Sequence, residues 1–229
     1  MDRKTLSLLA VILVLCFFSS CTSNPEEALL KRYFSALSLN DNTTLSTMAL
    51  EPTDISADSW EILNVSEEVV EPFKLGDMNK NELDFKKQLE NHVGTTLDAR
   101  DEWDNAVYEE ERARTRAAKR AAKAKADELK VKYDEVLADH KEMQKNYNEA
   151  KATSAKEEEI ATFSLGAGDL PTIRDFTGEV SKKEVDVKTE GEAGVQNYRI
   201  FLRSYSLQDE ATGIHRRGRW IIVKFENLN

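Results

Sequence analysis

From Met78 to Glu159 the chain has no proline and a single glycine, Gly94. Alanine, glutamate, lysine, arginine, aspartate and leucine dominate this stretch, and all of them suit or tolerate a helix. Ala122, Ala126, Leu129, Tyr133, Val136, His140, Met143, Tyr147 and Ala150 follow one another at steps of four and three. That is a heptad seam sustained over four repeats, which predicts coiled-coil packing. Upstream, Phe85, Leu89, Val93 and Leu97 recur at steps of four, with Trp103 and Val107 further on.

Such a stretch forms one helix or a hairpin. A single helix from Leu97 to Glu159 would run roughly 95 Å. The flanking segments are each too small to fold alone, and sharing one sheet requires the chain to return to where it left. An antiparallel helical hairpin inserted in a host domain is therefore expected. No turn residue marks the reversal. A balanced hairpin places it between Ala113 and Ala122, with Gly94 as a kink; the rivals are a turn at Gly94 and a parallel dimer through the heptads.

The flanks carry other periodicities. Pro25-Glu26-Glu27 opens a helix, because proline suits the first turn and acids there complement the dipole. Ala28, Leu29, Tyr33, Ala36 and Leu37 continue it. Asn40-Asp41-Asn42 ends it and can cap a short second helix carrying Leu45 and Met48, stopped at Glu51-Pro52. Trp60 to Val65 reads as a strand, with Val69 and Val70 continuing it. After Ile160, strands are expected over Thr177–Val187, Tyr198–Leu207 and Arg219–Phe225, with turns at Gly191–Gly194 and Thr212-Gly213. In the middle strand Tyr198, Ile200 and Leu202 point one way, and Arg199, Phe201, Arg203 and Tyr205 the other.

The fold class is thus α+β: N-terminal helices on a curved antiparallel sheet, interrupted by a long antiparallel hairpin. The boundaries are 1–20 for an export signal, 21–77 and 160–229 for the two parts of the host, and 78–159 for the insertion.

The signal rests on Arg3 and Lys4, the apolar run Leu6 to Phe18, and the small residues Ser19 and Ser20 before Cys21. The run is short for a membrane span. An uncleaved anchor and an ordinary cleaved signal are the competing readings. Phe18-Ser19-Ser20-Cys21 resembles a bacterial lipobox, with Phe18 where leucine is usual. In that pattern the cysteine becomes the first residue of the mature chain and carries lipid, palmitate included, on its sulfur and amine. The resemblance implies a membrane-anchored envelope protein, and Thr22 after the cysteine favours the outer membrane. Several acyl chains anchor stably. Cys16 would leave with the signal, so the mature chain has no free thiol, which excludes thiolate metal sites and cysteine nucleophiles.

The order of helix, short helix, strand and then antiparallel strands resembles the nuclear transport factor 2-like (cystatin-like) fold. Pro25-Glu26-Glu27-Ala28, Tyr33-Phe34-Ser35-Ala36-Leu37, Asp41 and the closing Gly218-Arg219-Trp220-Ile221-Ile222-Val223 carry the likeness. It covers roughly residues 25–75 and 175–229. It implies a sheet wrapped around a helix and a cone-shaped cavity, which Tyr33, Trp60, Tyr198 and Trp220 could line. Enzymes on that fold place Asp, His or Tyr in the cavity, and no such set can be mapped here.

No cofactor is expected. His92, His140 and His215 lack ligand spacing such as HExxH; His140 on the seam reads as a polar residue that fixes register. The formal charge of −10 argues against a nucleic-acid partner. Within that acidic total lies one basic run, Arg112, Arg114, Arg116, Lys119, Arg120, Lys123 and Lys125, with no acid among these cations up to Lys125. A mid-stretch turn puts it at the hairpin tip, where it suits an anionic envelope surface or protein partner. The function expected is a lipid-anchored, non-enzymatic scaffold or binding module. The alternative is a small-ligand-binding or enzymatic domain using the host cavity.

Overall fold

The computed structural model describes residues 24–53, 55, 57–166, 172–192 and 194–228. The export signal and Cys21 lie outside the described residues. Among the described residues the fold is α+β: four helices, two of them forming a long hairpin, and a six-stranded antiparallel sheet. The elements are α1 (Pro25–Ser38), α2 (Asn42–Met48), β1 (Ser59–Val65), β2 (Val69–Pro72), α3 (Leu75–Arg112) and α4 (Arg116–Leu165). A 3-10 turn (Ile173–Asp175) leads into β3 (Phe176–Gly191), β4 (Gly194–Asp209), β5 (His215–Arg217) and β6 (Ile221–Asn227). Strand order is β1-β3-β4-β5, with β2 also on β3 and β6 also on β4.

The chain divides into two compact units, and β3 and β4 run from one into the other. Among the described residues, the first comprises the stretch from Asn24 to Val69, Lys182–Arg203 and the stretch from Trp220 onward. Its α1 begins with Pro25 in the first turn, followed by Glu26 and Glu27. It ends in a Schellman motif: Asn40 takes the left-handed conformation (φ 53°), the Asn40 amide donates to Leu37 O, and the Asp41 amide donates to Ala36 O. Asp41 then caps α2 by accepting from the Thr44 amide at 3.1 Å. Leu30, Tyr33 and Phe34 of α1 and Leu45 and Met48 of α2 bury against Val185, Val187, Ile200, Leu202 and Ile222 of the strands. On the outward face of β3 the Arg199 guanidinium grips Asp186 by two hydrogen bonds, 2.8 and 3.2 Å.

The second unit comprises Val70–Ser181 and Ser204–Arg219. Its α3 and α4 pack along one another as an antiparallel hairpin. The reversal is Ala113-Arg114-Thr115, at the N-terminal edge of the expected window, and α3 runs unbroken through Gly94. Thr115 caps α4 by accepting from the Ala118 amide at 3.1 Å. Gly166 ends α4 in the left-handed conformation.

The root of the hairpin is polar as well as packed. Arg174 donates to Glu158 at 2.8 Å, to Glu82 at 3.0 Å and to Asn79 at 3.0 Å. Tyr205 donates to Glu157 at 2.8 Å. Ser164 donates to Arg219 O at 2.7 Å and packs where a Cβ on Gly218 would stand, so only glycine fits there.

Burial along β4 changes face: Tyr198, Ile200 and Leu202 are buried in its first half, and Tyr205, which the sequence places on the opposite face, is fully buried with Leu207 in its second. One detail differs from the sequence reading. On α3, Val93 and Leu97 are exposed, and the inward positions there are Leu89, His92, Thr96 and Ala99.

Candidate functional site

The hairpin is built on matching seams. On α4 every heptad position from Ala122 to Ala150 named above is buried or half-buried. On α3 the matching positions are Met78, Glu82, Phe85, Leu89, His92, Thr96, Ala99, Trp103 and Ala106. Trp103 stacks on Tyr133 with ring centroids 5.4 Å apart. His92 and His140 stack across the seam at 5.8 Å. His92 Nδ1 faces the Thr96 hydroxyl at 3.3 Å, whereas His140 Nδ1 is buried with no hydrogen-bond partner among the described residues. Along one edge, Lys132 pairs with Glu102 at 2.7 Å and Lys125 with Glu109 at 3.3 Å.

Seven cations converge on the closed end of this rod. Arg112 donates to the Tyr108 hydroxyl at 2.8 Å and lies over its ring at 5.2 Å, and Lys125 is paired with Glu109. Arg114, Arg116, Lys119, Arg120 and Lys123 are exposed, and among the described residues none has a carboxylate within ion-pair distance. Arg112 complements the C-terminal pole of α3, but the other signs around the turn oppose the helix dipoles. The first turn of α4 has no acid and begins with Arg116, while Glu109, Glu110 and Glu111 crowd the last turn of α3. Each cation at a positive helix pole costs roughly 0.3–1 kcal/mol. Helix-dipole stabilisation therefore does not account for the cations that open α4, whose exposed charges are open to an anion.

The candidate cavity residues lie elsewhere, in the first unit. Tyr33 is fully buried in the core against Phe34 and Phe225, and its hydroxyl accepts from the Thr53 amide at 3.3 Å. Burial pushes its phenol pKa up, the hydrogen bond opposing only in part. Tyr198 belongs to the same core. Trp60 stacks on Phe34 at 4.7 Å and edges an open surface depression also lined by Glu26, Glu27, Glu61, Ile62 and Val65. Trp220 lies under the Lys183 ammonium, 5.6 Å away, and Lys183 pairs with the nearly buried Glu26 at 3.0 Å. That ion pair spans 157 residues of sequence, so no local pattern announces it.

His215 is exposed and faces the Ser206 hydroxyl at 3.0 Å. Among the described residues no three His, Cys, Asp or Glu side chains cluster as metal ligands, and no helix is long and apolar enough to cross a membrane. Cys21, the lipidation candidate, lies outside the described residues. Comparison with known protein families, with curated proteins and with solved structures gives no match.

Proposed function

We propose that the protein is a lipid-anchored envelope component whose helical arm carries a cationic tip to an anionic surface of the envelope. It acts as a scaffold or binding module and performs no chemistry of its own. The observation that carries this reading is the set of five exposed cations, without an ion-pair partner among the described residues, at the closed end of a rod whose longer helix has 50 residues, or about 75 Å. The lipobox-like segment ending at Cys21 supports the anchor, with the outer membrane as the favoured site. The element order of α1, α2, β1 and the later strands supports the likeness to the nuclear transport factor 2-like fold.

Photocrosslinking in cells from a reactive residue at Ala117 tests the tip. Anionic lipid or anionic wall polymer should be captured, and replacing Arg114, Arg116, Lys119, Arg120 and Lys123 by serine should cut the capture at least about tenfold, since each cation near a charged surface contributes about 1 kcal/mol. Capture that ignores the five replacements overturns the tip reading. Intact mass of the membrane-extracted protein tests the anchor: a chain beginning at Cys21 with lipid is expected, and a full-length chain without lipid rejects it.

A further inference from the structure

The hairpin uses only one face of α3. The residues that follow each seam position, one step of about 100° round the helix, form a second row. Lys86, Glu90, Val93, Leu97, Arg100 and Asp104 succeed one another at steps of four, three, four, three and four. This is again coiled-coil spacing, yet the row faces solvent. Val93 and Leu97 are 43% and 53% exposed, and the four charged side chains are 52–65% exposed. The ion pairs to α4, through Glu102 and Glu109, lie on the opposite flank of the seam.

The row reads as its own complement when reversed. Turned end for end about a point beside Thr95, Lys86 meets Asp104, Glu90 meets Arg100, and Val93 meets Leu97. The next step of three outward adds Leu83 at one end, 54% exposed, and half-buried Val107 at the other, and these two also meet. Every opposed pair is either apolar or of opposite charge. A two-fold axis requires this of a self-interface, in which each residue contacts the partner of its reversed position. Gly94 borders the two central apolar residues, and a Cβ there would meet nothing within 4 Å, so a second backbone can approach. In the single chain the charges settle for neighbours on their own helix, Lys86 with Glu90 at 3.8 Å and Arg100 with Asp104 at 3.5 Å. Exposed pairs of this kind are weak, so exchanging them for pairs across an interface costs little.

The geometry points to a homodimer in which α3 of one chain packs antiparallel on α3 of a second copy through this outer row. The internal seam stays intact, so each chain keeps its own hairpin and the assembly is a four-helix arrangement. This differs from a parallel dimer through the α4 heptads, which the hairpin already occupies.

Charge exchange provides the test, read by sedimentation equilibrium of the full chain in detergent, with helix content followed by circular dichroism. The natural chain should populate a dimer that tightens with concentration. Lys86→Glu alone and Asp104→Lys alone each place like charges opposite one another twice and should weaken dimerisation by about tenfold or more. The double variant restores attraction across the interface while leaving like charges adjacent within each helix, so it should recover most of the affinity. Leu97→Asp should abolish the dimer with helix content unchanged. A strictly monomeric natural chain overturns the proposal. So does a dimer indifferent to these changes, or a double variant no better than the singles.

Discussion

Asp186 shows how a single residue sets a pH response. The Arg199 guanidinium, hydrogen-bonded to both carboxylate oxygens, holds the Asp186 carboxyl below the usual aspartate range. A carboxylate with a depressed folded pKa contributes stability that is fully present above its unfolded value, about pH 4, and lost as pH falls through the folded value. Asp186→Asn should therefore lower Tm by a few degrees at neutral pH, and the gap to the natural chain should close as the pH drops below about 4. A gap that widens in acid contradicts the pairing. Neither partner was identifiable as a pair beforehand. Val185-Asp186-Val187 was readable as a strand, but its partner depends on how β4 lies beside β3.

At the scale of the element, the hairpin divides what the chain spells out from what it conceals. Each position that the alternating four-and-three steps of α4 named from Ala122 to Ala150 is buried or half-buried, because burial on a regular helix follows directly from periodicity. The steps of four in α3 misled. Successive steps of four advance the row by about 40° each, so Val93 and Leu97 have rotated off the seam while Phe85 and Leu89 remain on it. The polar His92 and Thr96 take the inward places, which hydrophobicity alone does not select. The reversal had one local cue, the capping residue Thr115, in a segment without glycine, proline, asparagine or aspartate. His140 carries the cost of this arrangement, an imidazole nitrogen buried without a partner. His140→Leu should stabilise the hairpin by about 1 kcal/mol, since a buried unsatisfied polar atom costs roughly 1–3 kcal/mol. Urea unfolding followed by helix circular dichroism measures it, and a lower midpoint would show that the ring is satisfied or needed where it stands.

For the whole molecule, the hairpin root decides where the arm can be cut. Arg174 holds Glu82 and Glu158, whose side chains are only 12% and 31% exposed, and Glu158 and Glu82 raise the guanidinium pKa further. Tyr205 holds Glu157. An arm shortened through its middle, with residues 93–139 replaced by a short glycine-rich loop, keeps all of these groups and should leave the rest of the fold intact. Excision of the full stretch 78–159 strips Arg174 of both carboxylates and removes the Tyr205 partner. It should cost about 2 kcal/mol or more beyond the shorter cut, because each hydrogen bond to a charged group contributes about 1.5–3 kcal/mol and this network is only partly screened by solvent. Thermal unfolding of the two deletions compares them, and equal stability would mean the root contributes nothing.

Short-range periodicity and composition were enough for the α+β class, the long helical stretch, most of its seam and the basic run, and the hairpin was the favoured one of several ways to pack that stretch. The sequence also carried the lipobox-like segment, which the described residues do not include. Which acids answer Arg174 and Lys183, where burial on β4 changes face, which side of α3 faces α4 and which side is left open became legible in the folded chain alone. Those outcomes join residues far apart along the chain, and no local spacing encodes them. The reversed complementarity of Lys86 to Asp104 was present in the letters throughout. It acquired meaning once the fold showed that this row, and not the one beside it, faces solvent.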